Sequence, residues 1–498
     1  MLKAESFRRG IVVSTALNII IKAVLFLNTL VIAYYFGTSI DTDLYFYIFS
    51  TITLLAGLIN GMDLAVILPE GMHIKVDKGM KDAIPFYNYF GYWYLLTGLV
   101  LFVLLFFFSV PIFSFVSAFK PSVLANHKLL LMLSSLLPVM MILSNYLTAV
   151  LTTLRYFTAP LLASGVAQLF ALIALVLFHG QVGITAIMMG MLCGYFLNIV
   201  LLILFMKFKL GWTFKASSAG LTKRVKRNLI SVQLGNLTAF AYNYGIIVLL
   251  SGLETGLYTA YNYGMQVVNM PNNFIVSQAA AVAGIKFNEL AAKKRFADMN
   301  KIFMDSMTIL LFMIIPICFL TWLYADWIVD ILFHRGTFTN QSAETVGHFI
   351  RYFIYLLPCM AINIFLSRLL ISVKKVKESF YFQAGFNLFI LAMLFLFTRL
   401  FSLDGFTWSI LIVYYIYFTI ACIFLMKWLM PYINYIGFLK LVLKIIVLNL
   451  PLLAMAVLGF TYIVYLVPFL YVGLLILVNW RFKIVPMAHI NMFTRKTT

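Results

Sequence analysis

The chain has 498 residues, of which 63% are apolar and 10% charged, against roughly 45–50% and 25% in an average soluble protein. This composition reads as an all-α, polytopic membrane protein. The net charge of +20 would suggest a nucleic-acid partner in a soluble chain, but here the basic residues lie in short runs between apolar stretches of about 20 residues or more, which is a topology signal instead. No stretch between spans exceeds about 21 residues (207–227), which excludes a soluble nucleotide-binding or catalytic domain in the loops and ATP-driven transport by this chain alone.

A helix crosses ~30 Å of hydrocarbon in about 20 residues, and on that ruler we count fourteen spans. The leading MLKAESFRRG precedes an apolar stretch too long for a signal-peptide core and without a small-residue cleavage site, so 10–36 is taken as span 1. The others follow at 44–68, 88–115, 127–153, 157–179, 182–206, 228–251, 255–285, 302–324, 345–373, 378–400, 404–428, 438–460 and 461–480. With the N-terminus in the cytoplasm, 29 of the 36 Lys and Arg fall in cytoplasmic loops and span ends. Lys120, Lys128, Arg335 and Arg399 fall outside, and Lys22, Arg351 and Arg368 lie within spans. The positive-inside rule therefore predicts that both termini are cytoplasmic. Cys193, Cys318, Cys359 and Cys422 all sit in apolar segments, where they behave as small hydrophobes and form no metal or disulfide motif.

Span 1 leads into Phe36-Gly37, Asp43, Leu44 and Tyr45, and span 7 leads into Ser251-Gly252, Gly256, Leu257 and Tyr258; each is followed by a helix ending in a basic loop. This repetition predicts two parallel six-helix lobes, 1–227 and 228–430, with 431–498 holding spans 13 and 14 and the tail. A binding cleft is expected between the span 1–2 and span 7–8 faces, and spans 13 and 14, with no charge between Lys444 and Arg481, offer a groove for a lipid tail.

Polar residues inside the spans are the functional candidates. Ser14, Asn18, Lys22 and Thr29 share an arc of roughly 80° on span 1. A mid-membrane lysine such as Lys22 costs about 2.5–3.5 kcal/mol on insertion scales and should face an aqueous cavity or a partner, Asp63 being one. On span 8, Asn262, Gln266, Asn269 and Asn273 fall within roughly 60° of one another, with Pro271 among them, where a break in the helix is expected. These amides either wall a cavity or hydrogen-bond between helices. Gln233, Asn236 and Asn243 on span 7, with Gln383 and Asn387 on span 11, are oxygen donors suited to a hard cation such as Na⁺; coupling to Na⁺ or H⁺ is one expectation, and no cofactor is implied. Arg351 and Arg368 either snorkel to the interfaces or meet an anionic headgroup. Gly57-xxx-Gly61 and Gly190-xxx-Gly194 permit close helix approach.

Asp41-Thr42-Asp43 has the D-x-D spacing of metal–sugar-nucleotide sites, but it lies in a short external loop with no accompanying domain. No HExxH, Walker A or nucleophile elbow is present, so a transporter is the better class of reading than an enzyme.

With the spans in place, the chain resembles the MurJ/MviN family of the multidrug, oligosaccharidyl-lipid and polysaccharide (MOP) exporter superfamily. The resemblance is carried by Phe36-Gly37 with Asp43 and an aromatic-rich helix, by Leu332-Phe333-His334-Arg335-Gly336-Thr337-Phe338-Thr339, and by the fourteen-span count. It implies a monomeric flippase of the bacterial inner membrane that moves an undecaprenyl-pyrophosphate-linked sugar precursor, lipid II as first candidate, from the inner to the outer leaflet. Another lipid-linked polysaccharide unit, or a small molecule exported with a cation, is the alternative. The family's pyrophosphate-binding arginines come from spans 1, 2 and 8. Here Lys22 stands at one span 1 position and Asn28 at the other, Ala56-Gly57 occupies the span 2 region, and the span 8 position falls at or near Gly264. Membrane lipids and the lipid-linked oligosaccharide are the implied partners. The substrate contacts are expected from Lys22, Asn18, Asn28, Asp43, Asn262, Gln266, Asn269, Asn273, Arg351 and Arg368.

Overall fold

The computed structural model describes residues 7–217, 223–373, 375–419 and 427–457, together with 423, 473 and 477. Among the described residues the regular structure is helical throughout. In chain order the helices are α1 (Phe7–Phe36), α2 (Ile40–Met62), α3 (Leu68–Lys78), α4 (Met80–Val116), α5 (Pro121–Asn126), α6 (Lys128–Ser134), α7 (Leu137–Thr153), α8 (Thr158–Val182) and α9 (Thr185–Leu210). They continue with α10 (Lys223–Leu253), α11 (Leu257–Pro271), α12 (Ser277–Ala292), α13 (Phe296–Leu323), α14 (Ala325–Leu332), α15 (Asn340–Phe353), α16 (Leu356–Ser372) and α17 (Val376–Ile412), and α18 spans Tyr435–Val457.

The expected spans 1 to 10 each coincide with one of these helices or with a broken run of them. Nine helices among the described residues are long and apolar enough to cross a membrane, and α15 with α16, bent by 47°, makes a tenth if counted as one span. The count is of the described residues; it takes Tyr381–Ile416 as one span and omits the expected span 8, which divides between α11 and α12. The expected spans 11 and 12 begin in one element, α17, which is kinked at Phe401 and Ser402 by non-helical backbone (Ser402 φ +53). Span 14 (461–480) lies almost wholly outside the described residues.

Two compact units are distinguished by their internal contacts. The first comprises 1–263 with 332–343, and the second 264–331 with 344–498. This grouping places α10 with the N-terminal helices, because α10 packs on α2; the two-lobe division inferred from the repeat is a separate property of the chain.

Local sequence accounts for the main breaks. α1 stops at Gly37, whose φ of +58 suits a residue without a Cβ. Ser39 then caps α2 in a capping box with Thr42, each side chain accepting from the other's backbone N–H. The repeat-equivalent joint between α10 and α11 also uses a left-handed glycine, Gly256 at φ +89. Behind Pro271 the helix widens into a π-turn, Asn272–Val276, which is the break the proline predicts. Asp63–Ile67 forms a second π-turn after α2, just before Pro69.

α8 and α9 pack along the seam that the small residues permit. A Cβ on Gly190 would stand 2.8 Å from Ala171 Cα, and one on Gly194 would run into the Ala167 backbone. The other glycine pair behaves differently: Gly61 abuts the Asn236 side chain, whereas nothing lies within 4 Å of a Cβ built on Gly57. Close helix approach therefore explains Gly61 and not Gly57.

Candidate functional site

In the first unit the turns following α1 and α10 meet around one carboxylate. Asp43, 1% exposed, accepts the backbone N–H of Gly256, the backbone N–H of Thr259 at 2.8 Å and the Thr259 hydroxyl at 2.6 Å. These donors belong to the N-terminus of α11, where unpaired N–H groups and the helix dipole favour a negative charge. Tyr263, one turn further along, donates its hydroxyl to the carbonyl of Gly37 at 3.0 Å.

The Leu332–Thr339 segment closes over the same joint. The Thr337 N–H donates to the Tyr34 carbonyl at 3.0 Å, and the hydroxyls of Thr38 and Ser342 lie 2.6 Å apart. Gly336, at φ +65, leaves no space for a Cβ beside the Tyr34 carbonyl. Tyr263 stacks on Phe333 with ring centroids 5.3 Å apart, and Phe338 lies 6.1 Å away. The two motifs that carry the family resemblance thus meet in one cluster, in which Asp43, Tyr263, Phe333 and Phe338 are buried. Sequence reasoning singled out both and missed their meeting; the left-handed glycines at both turns were the available signal.

This arrangement commits Asp43 to the protein's own backbone rather than to an open cavity. Its neighbour Asp41 pairs with His127, Nε2 to Oδ1 at 2.9 Å. The two carboxylates of the D-x-D sequence therefore diverge to different partners, and no group of metal-ligating side chains occurs among the described residues.

The span 1 candidates part company. Asn18 and Lys22 are half-buried on α1. Asn28, by contrast, is 3% exposed and donates its amide to the Gln168 carbonyl on α8 at 3.0 Å, which fastens two helices together. On α11, Asn262 donates back to the Tyr258 carbonyl at 2.7 Å. Gln266, Asn269 and Asn273 are half-buried, with Asn273 inside the π-turn. Gly264 is closed by its neighbour, since a Cβ there would stand 2.9 Å from Phe349 Cβ; a longer side chain at that position requires repacking.

The two arginines differ as well. Arg351 forms an ion pair with Asp326 on α14, so its guanidinium is engaged by a protein carboxylate. Arg368 is exposed on α16, with its Cδ 3.3 Å from where a Cβ on Gly284 of α12 would be. Among the cation candidates, Gln383 donates to Asn387 within α17 at 3.1 Å. Gln233 and Asn236 stand on α10, each with one buried polar atom, Oε1 and Nδ2 respectively, lacking a hydrogen-bond partner.

A second buried carboxylate sits in the Asp63–Ile67 π-turn. Asp63, 2% exposed, accepts from the Tyr94 hydroxyl at 2.6 Å and from the Asn60 amide at 3.2 Å. Asn60 in turn accepts from Asn145 at 3.4 Å. A buried ionisable group within a membrane span marks a functional site by default.

Span-length apolar helices, broken at prolines and π-turns and carrying polar side chains within the spans, define a multi-pass membrane transporter. Solved structures share this fold. One described as the lipid II flippase MurJ in an inward closed conformation matches with a TM-score of 0.77 at 17% identity, over 95% of this chain and 98% of that one. An inward-facing multidrug resistance transporter of the MATE family, in the MOP superfamily, matches at 0.66 and 11% identity, over 83% and 98%. A probable lipid II flippase MurJ from Borreliella burgdorferi is 23% identical over 377 residues, 74% of this chain and 73% of that protein. The family model for the lipid II flippase MurJ matches residues 32–478, and the chain belongs to that family.

Proposed function

We propose that this protein moves lipid II, a prenyl-pyrophosphate-linked sugar precursor of peptidoglycan, from the inner to the outer leaflet of the bacterial inner membrane. The observation that carries the reading is the family match across residues 32–478. The protein works by alternating access, as a monomer with both termini in the cytoplasm. That orientation is supported by the clustering of lysine and arginine at one set of helix ends, and it puts the Asp43 joint on the outer side.

The headgroup cannot cross hydrocarbon unaided, so the chain must replace its hydration. Lys22 supplies a cation for the pyrophosphate, and the amides of Gln266, Asn269 and Asn273 supply hydrogen bonds to the sugars. Arg368, exposed and near the lysine-rich end of its helix, gives a second cation at the cytoplasmic entrance. The family resemblance implies a cation in the region of Ala56-Gly57, and nothing lies within 4 Å of a Cβ built on Gly57. The Asp43 joint acts as a latch that holds the outer turns of α1 and α10 together until the loaded headgroup is released.

Ion coupling is assigned to Asp63 in preference to the amides of spans 7 and 11. Its support is the buried carboxylate in a π-turn, a distortion often found at functional sites, and Gln383 and Asn387 are already hydrogen-bonded to each other. The same carboxylate would serve a cation-coupled exporter of small molecules, which is the second reading.

Cells depleted of their own lipid II flippase and supplied with this protein test the assignment. Restored growth and lipid II exposure at the outer face is expected; failure with the protein inserted and folded removes lipid II as cargo. In the same cells Lys22→Ala abolishes transport and Lys22→Arg preserves it. Full activity of Lys22→Ala at unchanged stability eliminates the anion contact, and full activity of Asn269→Leu with Asn273→Leu makes those amides structural.

A further inference from the structure

A cavity of about 650 Å³ lies within the first unit at its lysine-rich end, walled by α4, α7 and α9. The extended segment 211–217 closes one side of it. That segment is fastened to α4 by an unusually complete set of bonds. The Asn88 amide donates to the carbonyls of Thr213 at 2.6 Å and Lys215 at 3.0 Å, while its oxygen accepts from the Trp212 indole at 2.8 Å. The Tyr92 hydroxyl donates to the Phe214 carbonyl at 2.8 Å. Gly211, left-handed at φ +64, turns the chain out of α9 into this strap.

The lining chemistry is divided. The inner wall is aliphatic and aromatic, with Leu143, Leu147 and Ile203 among its residues. At the strap side stand the exposed Lys207 and Lys215, and the lining contains no carboxylate. Lys207 Nζ is 5.6 Å from the Phe208 ring centroid. Phe208 is 72% exposed and Trp93 50% exposed, so the surroundings of the cavity suit lipid rather than water. Its volume falls within the ~300–1,000 Å³ of small-molecule sites.

We propose that this cavity binds an anionic glycerophospholipid of the leaflet at the lysine-rich end, its phosphate between Lys207 and Lys215 and its upper acyl carbons against the aliphatic wall. Charge complementarity selects the headgroup, since basic pockets between membrane helices recognise anionic lipids, and the aliphatic wall favours a ligand with acyl carbons over free phosphate. The walls come from α4, α7 and α9, none of which carries a candidate cargo contact, so this lipid is not the transported one. Bound there, it holds the 211–217 strap on α4 and stabilises the first unit.

The test uses the purified full chain in detergent, with thermal unfolding and retained lipid by native mass spectrometry as readouts, so it does not depend on the cargo. Phosphatidylglycerol is expected to be retained and to raise the Tm more than phosphatidylcholine does. The double variant Lys207→Gln, Lys215→Gln should lose that preference, with apparent affinity for phosphatidylglycerol falling about tenfold or more. Its Tm in phosphatidylcholine should match the parent, because both lysines are exposed. Tyr92→Phe, which removes one strap bond while leaving both charges, should weaken lipid stabilisation without abolishing the headgroup preference. Equal stabilisation by the two lipids, an unchanged preference in the double variant, or the same Tm rise from inorganic phosphate alone would each overturn the proposal.

Discussion

At Asp43, two backbone N–H groups and one hydroxyl converge on a single buried carboxylate. Hydrogen bonds to a charged group are worth about 1.5–3 kcal/mol each, and leaving such donors unsatisfied costs a similar amount. Asp43→Asn keeps the shape but offers an NH₂ group to donors that need an acceptor. Gly256→Ala acts on the same joint through the backbone, because its φ of +89 disfavours a side chain and the new Cβ would stand 2.7 Å from the Thr38 carbonyl oxygen. Both substitutions should open the latch by about 2–3 kcal/mol. The readout is labelling of Leu257→Cys, at a buried position beside the joint, by a membrane-impermeant thiol reagent in a Cys193→Ser background. Labelling should rise several-fold when either substitution is added; an unchanged rate means the joint does not control access from the outer side.

Among the elements, α8 and α9 carry the clearest packing argument. Their contact depends on Gly190 and Gly194 facing Ala167, Ala171 and Ala174, a small-residue seam of the kind that lets membrane helices approach closely. Gly194→Leu forces the backbones apart and should destabilise the protein by about 1–3 kcal/mol, read as a lowered Tm in detergent. Gly57→Ala, at a position with nothing within 4 Å, should leave the Tm unchanged. Equal effects at the two sites would show that the seam does not depend on close approach. The contrast also shows the reach of a pattern: both G-xxx-G pairs look alike in sequence, and only the partner helix distinguishes them. The π-turn at Asn272–Val276 was more legible, because Pro271 lacks an N–H and disturbs its own helix whatever lies opposite.

On the scale of the whole molecule, the charge of the proposed cargo offers a driving force. An inside-negative potential favours outward movement of an anion by about 2.3 kcal/mol per charge per 100 mV, and a pyrophosphate-linked headgroup is anionic. In proteoliposomes clamped with potassium and valinomycin, net outward flipping should accelerate as the potential on the lysine-rich side becomes more negative, and slow when it is collapsed. Asp63→Asn should alter the pH or cation dependence of that rate while leaving its voltage dependence in place. A rate indifferent to potential would remove headgroup charge as the driving force.

The sequence by itself determined the membrane class, the positions of spans 1 to 10, the helix break at Pro271 and the two motifs that resemble the family, because apolar length, proline and left-handed glycine act locally. It also marked which residues share a helical face. The tertiary structure alone decided what each face meets. Asp43 went to a helix N-terminus 213 positions along the chain, Asn28 to the α8 backbone, Arg351 to Asp326 and the space beside Gly264 to Phe349. A polar residue inside a span announces that it needs a partner, since hydrocarbon supplies none. Whether that partner is a ligand or another part of the chain depends on contacts far apart in sequence, which helical periodicity does not encode.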